Sequence, residues 1–454
     1  MTVTAEAADP PHSHLKDILR LAVPAMLALA SQPLMSIGDT AMIGHLGAES
    51  LAARAVGAVI IGGIYWIFAF LSFGTTTLVG YHHGAQDFRA CGETYLNALF
   101  VALLGGVGIA CAGLIFATPL YRLMGAGPNV IEEGVPYFCI YITSAPLTFI
   151  FFASVGLFRG IQNTKTPMLI AFVVTMIHLL LDYGLIYGHF GLPRLGLKGA
   201  AMAAFVGQLV GAAACLGIFF FSRSMAAYRA AKWRVSLSRL RPLFRIGGDL
   251  AIRTGALRGS LVFATSRAAR MGADVLSAHE IAFQLMLLGS EVIDGLAVAG
   301  QALVAKYLGA AQKEKAIAMG KTLILCGAVA GFIFGIAFLG AQDAIAGFFT
   351  NSTDVKLLLG AGVILLVAVF QPLNGIVFVL DGFLIGARDT RFLMWAMLIG
   401  ALGIFVPISW MSLHSGWGLI GIWAGVGALM SWRLVTLLYR FFSRSWYASS
   451  GVSG

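Results

Sequence analysis

Charge is what this chain has least of. Only 11% of its residues are Asp, Glu, Lys or Arg, while 59% are apolar; a soluble domain carries roughly 25% charged residues. The 454 residues are long enough for about two or three soluble domains, but this composition excludes that reading. Cysteine is also scarce: Cys91, Cys111, Cys139, Cys215 and Cys326 show no metal or redox spacing, and four lie within or at the edge of apolar runs. They read as small packing residues. No basic segment followed by a short apolar stretch opens the chain, which begins MTVTAEAADPPHSHLKD. A cleavable signal peptide is therefore not expected, and the first apolar run should serve as its own insertion signal. Missing too are HExxH, Gly-x-Ser-x-Gly and any paired His/Asp metal spacing. A polytopic membrane enzyme needs such groups gathered at an interface, so that class is the weakest candidate. His82 and His83 are adjacent in a short loop, a poor metal site by themselves.

Apolar runs of bilayer length are what the chain has in place of charge. About twenty apolar residues cross the hydrocarbon core, and twelve such runs can be drawn: 21–43, 55–81, 95–118, 135–158, 168–188, 199–222, 243–266, 275–305, 322–349, 357–386, 392–412 and 417–441. With the N-terminus in the cytoplasm, Lys and Arg concentrate in the inner loops. Arg223, Arg229, Lys232, Arg234, Arg239 and Arg241 share one of them. This is the positive-inside pattern. It assigns the net charge of +10 to anionic lipid headgroups and argues against a nucleic-acid partner.

The chain repeats itself. LGAESLAA (46–53) aligns with MGADVLSA (271–278), and TLVGYHHGAQ (77–86) with ALVAKYLGAA (302–311), both at an offset of 225 residues. GLFRGIQNTK (156–165) matches GFLIGARDTR (382–391) at an offset of 226. Six spans per half is an even number, so both halves enter the bilayer in the same orientation. Repeats of that kind are related by an axis along the membrane normal and bind substrate at their interface. The expected fold is all-α: a six-helix bundle over 1–222, a basic cytoplasmic linker over 223–242 and a second bundle over 243–454, facing one cleft.

At this point the sequence resembles a known family. GDTAMIGHLG (38–47), the repeated GLFRGIQNTKTP and GFLIGARDTR elements and the span count are similar to the multidrug and toxic compound extrusion (MATE) family. RIGGDLAIRT (245–254), EVIDGLAVAGQALV (291–304) and QPLNGIVFVLDGFLIGA (371–387) resemble its DinF-like branch. The resemblance covers nearly the whole chain after about residue 15. It implies a bacterial secondary transporter that exports drug-like compounds without a cofactor.

Acids inside the spans mark where to look, because a carboxylate at mid-bilayer costs about 2.5–3.5 kcal/mol on insertion scales. Seven fall there: Asp39, Asp182, Asp249, Glu280, Glu291, Asp294 and Asp381. The repeat acts as a control. Asp39 aligns with Ala264, Asp294 with Ala69 and Asp381 with Val155, so the shared fold does not require these acids. Gln32, Ser36 and Asp39 recur at helical spacing on one face, in a run that Pro24 and Pro33 should bend. His178 and Asp182, four apart, form a second polar face. By topology Asp39 and Asp182 lie in the outer part of one bundle and can meet. Two carboxylates in one low-dielectric pocket cannot both ionise cheaply, so such a pair would take up a proton on one side of the membrane and release it on the other. The resemblance implies the same coupling role for the acid of this first-span motif. A structural, permanently ionised or permanently neutral Asp39 is the alternative, and His178 could equally be a helix-to-helix hydrogen bond.

The second half holds both signs. Asp249, Arg253, Asp294 and Asp381 should gather toward its cytoplasmic side, with Arg253 pairing one or two of the carboxylates. The gathering reads as an ion-pair lock, a gate or a second coupling site. In NorM-like members of the family an acid in the tenth span goes with cation coupling; here QPLN places Asn374 there, and Asp381 follows about two turns later. That favours H+ as the coupling ion and leaves Na+ open at the Asp39 and Asp182 pair. No metal site is expected. Met35, Met42 and Met286 are candidates to line an adaptable substrate cleft, and the acids favour amphipathic cations. The expected protein is a monomeric, multi-pass inner-membrane antiporter with both termini in the cytoplasm. A flippase for a lipid-linked sugar pyrophosphate is the rival transporter. It calls for a cationic cleft, whereas the first-half spans as drawn contain acids and no Lys or Arg.

Overall fold

A computed structural model of the protein describes residues 11–230, 234–350, 352–414 and 416–449; Lys232 lies outside them. Among the described residues there are helices and no strands. Among these residues ten helical segments are long and apolar enough to cross a membrane. The pair Pro128–Ile142 and Ala145–Gly160, bent by 46°, makes an eleventh span. The seventh run becomes the 33-residue helix Leu237–Ala269. It has the length of a span but not the apolarity, because Arg239, Arg241, Arg245, Asp249, Arg253, Arg258 and Arg267 lie along it. These twelve segments match the twelve sequence runs in order.

The differences have local causes. The second span reads as one run but is two helices, Ala48–Phe68 and Phe70–Gly84, joined through Ala69, whose N–H turns back to the Trp66 carbonyl at 3.2 Å. The fourth breaks between Ile142 and Ala145, and Pro146 sits in the first turn beyond. Proline is tolerated there because its missing N–H has no helical partner to lose. The tenth begins with an extra short helix, Thr353–Leu358, and a wide turn over Leu359–Val363 before Ile364–Gly386. Gly362 in that turn has φ +111°, a conformation open to glycine. The first helix runs unbroken through both Pro24 and Pro33, from Pro11 to Gly44.

The repeat is visible in the backbone. Gln86 and Ala311, 225 apart, have φ of 59° and 57°; Gln162 and Arg388, 226 apart, have 65° and 62°. Left-handed non-glycine residues are uncommon, so each pair marks the same loop built twice. Close helix crossings repeat as well. Gly156 lies against the second span, where an added Cβ would stand 2.7 Å from the Ser72 carbonyl oxygen, and Gly160 packs on Val79 and Gly80. Gly382 and Gly386 meet the backbone of Ala297 and Gln301 in the same way. Small residues four apart let helix backbones approach in lipid, where packing rather than hydrophobicity holds helices together.

Two compact units divide the chain: Leu27–Gly247 is one, and Gly248–Gly454 with Met1–Met26 is the other. The described part of the basic segment 223–242 packs within the first of these. The Asn97 side chain donates to the Arg234 carbonyl at 3.4 Å and accepts from the Ser236 N–H at 2.9 Å. Arg239 bonds Glu93 at 3.0 Å and reaches His82 at 3.2 Å.

Candidate functional site

The polar faces of the first and fifth spans meet. Gly38 permits the approach, since a Cβ there would lie 2.5 Å from the Leu179 side chain. The Tyr187 hydroxyl donates to the Met42 carbonyl at 2.7 Å and fixes one end of the contact. Between these points Nε2 of His178 stands 2.8 Å from Oδ1 of Asp39 and 3.4 Å from Oδ2 of Asp182. Asp182 is fully buried, His178 nearly so, and the Asp39 side chain retains 14% of its exposure. One ligand atom from each of the three lies within 4.8 Å of the others. That spacing suits a shared proton, and its size also suits a small cation.

A fourth member comes from the second span. Arg54, 8% exposed, donates to Thr40 Oγ1 at 2.9 Å, to the Ser36 carbonyl at 3.3 Å, to Ser36 Oγ at 3.4 Å and to Asp39 Oδ2 at 3.4 Å. This corrects the sequence reading, whose second span began one residue too late and so left the first half without a cation. Both oxygens of Asp39 are therefore engaged, one by an imidazole and one by a guanidinium. Asp182 has no hydrogen-bond donor among the described residues beyond the 3.4 Å approach of His178.

The remaining residues on these helices are placed as follows. Gln32 and Ser36 are exposed along the first helix, and Ser36 serves Arg54. Met35 is half-buried; Met42 packs beside the Ile43–Tyr137–Ile186 cluster. Met286 is not on an open surface but inside the core of the second unit, with Ile281, Leu285 and Val367.

In the second unit Arg253 pairs with Asp381, and so does Arg433, a residue that the sequence reading did not single out. Both guanidinium groups contact the same carboxylate oxygen. Asp249 accepts from the Thr390 hydroxyl at 2.7 Å. Asp294, partly exposed on its own helix, lies in the field of Arg253, Arg433 and Asp381 without an ion pair among the described residues. Glu280 and Glu291 are exposed. Asn374 is buried, and its side-chain oxygen has no hydrogen-bond partner among the described residues.

Comparison with known proteins places this arrangement. The sequence pattern of the MatE family matches residues 24–184 and 259–411. The chain is 30% identical to the probable multidrug resistance protein NorM of Burkholderia pseudomallei, over 99% of this chain and 97% of that one. It is 25% identical to the DNA damage-inducible protein F of Escherichia coli, over 88% of each chain. Among solved structures, a MATE transporter in the bent conformation shares the fold with a TM-score of 0.87, at 22% identity, covering 97% of both chains. The family pattern begins at Pro24 and ends its first match two residues after Asp182, so it encloses both acids of the first-half cluster. Spans, repeat and sequence agree: the chain belongs to the MatE family, the membrane transporters of multidrug and toxic compound extrusion, and it is not an enzyme.

Proposed function

We propose that this protein is a proton-driven antiporter that exports amphipathic, often cationic, organic compounds by alternating access, with Asp39, His178 and Asp182 as its proton-binding group. The observation that carries the reading is the single imidazole nitrogen standing 2.8 Å from the partly buried carboxylate of Asp39 and 3.4 Å from the fully buried one of Asp182. A proton at that nitrogen answers two acids at once, and its loss leaves Arg54, paired with Asp39, as the one cation beside two carboxylates. Burial makes that difference large, so proton exchange gives the first span two electrostatic states. The driving force suffices: a proton moved through 100 mV supplies about 2.3 kcal/mol, and each pH unit adds about 1.36 kcal/mol.

The same reading takes residues 1–222 and 243–454 as the two working bundles, 223–242 as their cytoplasmic linker, and the inner membrane as the site of a monomer with cytoplasmic termini. Arg253, Arg433 and Asp381 act as an ion-pair lock, with Asp249 and Asp294 as further polar groups of that half. Met35 and Met42 remain the candidates for substrate contact, next to the polar positions Gln32 and Ser36.

Sodium coupling is the second reading, supported by the 4.8 Å spacing of the three ligand atoms. The flippase reading gains a buried cation in Arg54, but that cation is already paired with Asp39 and is not free for a pyrophosphate. Dye efflux from proteoliposomes under an imposed pH gradient or an imposed sodium gradient separates the two ions. A pH gradient alone is expected to drive the wild type, and Asp39→Asn is expected to abolish that flux while remaining folded. Normal transport by Asp39→Asn would overturn the proposal.

A further inference from the structure

The internal repeat supplies a comparison for Arg54 within the same molecule. At the offset of 225 residues, Arg54 corresponds to His279, Thr40 to Thr265 and Asp39 to Ala264. The hydroxyl contact is kept in both halves: Arg54 donates to Thr40 Oγ1 at 2.9 Å, and Nε2 of His279 lies 3.2 Å from Thr265 Oγ1. What differs is the charge. Where the first span carries an acid, the neighbouring position holds a permanent cation; where the acid is Ala264, that position holds a histidine, stacked on Phe283. The fold therefore needs a side chain that reaches the threonine, but not a guanidinium. The guanidinium accompanies the acid.

Charge balance says what it does there. The pocket brings together two carboxylates, one imidazole and one guanidinium that stays charged. The other titratable groups in its field, Tyr137 and Tyr141, are phenols and add no cation. Buried charges persist when paired. With Arg54 present, one further positive charge completes the balance. Without it, the same two carboxylates would call for two. Arg54 also occupies Asp39 Oδ2 while His178 occupies Oδ1, so an incoming ion must displace one of them or turn to Asp182, whose carboxylate takes only the 3.4 Å approach of His178 among the described residues.

Building on the proton-coupled reading above, we propose that Arg54 is a tethered counter-ion that fills one of the two cation places of the Asp39–Asp182 pocket, so that the pocket takes up a single proton and refuses a metal cation. Arg54 is thus the residue that sets ion selectivity.

The test uses the full-length protein in proteoliposomes as wild type, Arg54→Gln and Arg54→Lys. Radiolabelled sodium binding at equilibrium is measured beside dye efflux under each gradient. The wild type and Arg54→Lys are expected to bind no sodium. Arg54→Gln is expected to bind sodium, and sodium-driven efflux should rise by about tenfold over the wild type, the equivalent of about 1.4 kcal/mol. If Arg54→Gln does not fold, Arg54→His, which installs the second-half residue, takes its place; it is expected to bind sodium at high pH, where imidazole is neutral, and not at low pH. A neutral variant as blind to sodium as the wild type, or Arg54→Lys binding sodium as Arg54→Gln does, would overturn the inference while leaving a proton-driven wild type intact. Sodium-driven transport by the wild type would overturn the proton reading itself, before any Arg54 variant is made.

Discussion

Arg440 holds Asp389 with two hydrogen bonds, Nε to Oδ2 at 2.6 Å and Nη2 to Oδ1 at 3.2 Å, across 51 residues of chain. The carboxylate is buried and the guanidinium partly exposed. The pair fastens the loop after the tenth span to the end of the twelfth. A planar fork makes this contact and a lysine does not. Arg440→Lys is expected to lower the melting temperature of the purified protein, and Arg440→Ala to lower it further. Stripping one partner from a buried pair costs about 3–5 kcal/mol, less here for the solvent that reaches Arg440. Unchanged melting in Arg440→Ala would show that the pair contributes nothing.

His178 connects the two acids of the first-half cluster. His178→Gln keeps a polar side chain of similar reach but cannot carry the proton. Flux under a pH gradient should fall by about tenfold or more with the melting temperature little changed. Retention of full proton-driven flux would assign the coupling to the carboxylates alone.

Asp381 answers two arginines at once, the buried Arg433 and the partly buried Arg253. Asp381→Asn leaves Arg253 and Arg433 without their shared ion-pair partner, with only the more distant field of Asp294 and an expected loss of up to about 3–5 kcal/mol. Adding Arg433→Gln should restore part of it, because one of the opposed cations is gone. A double-mutant cycle on thermal stability measures this, and simple additivity would mean that the three groups do not form one network.

The glycine crossings admit no methyl group. Gly156→Ala would place a Cβ 2.7 Å from both the Ser72 carbonyl oxygen and Thr75 Cβ, and a backbone oxygen cannot swing aside as a side-chain tip can. Overpacking of this kind costs about 1–3 kcal/mol. Gly217→Ala, where a Cβ meets nothing within 4 Å, is the matched control. Equal yields and melting temperatures for the two variants would refute the crossing.

Much of this architecture was legible because lipid makes periodicity unnecessary: apolar length alone marks a span, and the repeat then fixes the span order. The Asp39, His178 and Asp182 meeting was legible too, since i, i+4 spacing put two of them on one face and topology brought the third to the same depth. Arg54 was lost at a boundary. A hydropathy window ends where charge begins, so a buried arginine at the mouth of a span is cut off with the loop. The alignment of Arg54 with His279, beside Thr40 and Thr265, carried the signal. Arg433 lay inside a span and deserved the same suspicion as the acids, but nothing in its local spacing points 52 residues back to Asp381. The break near Ala69 and the wide turn at Leu359–Val363 left no mark, because the residues around them are as apolar as any helix interior.

The paired left-handed turns have a practical meaning. Gln86 and Ala311, like Gln162 and Arg388, are left-handed at corresponding turns, with φ agreeing within a few degrees although the residues differ. Each loop is thus a spare part for its counterpart. Exchanging residues 85–86 with 310–311, or 161–162 with 387–388, which leaves the Asp87 cap and the Asp389–Arg440 pair in place, should yield chimeras that insert and fold, whereas grafting across the two loop types should not. A transporter assembled from such joints can diverge freely along its helices, with Asp39 in one half against Ala264 in the other and Asp381 against Val155, while its corners stay alike.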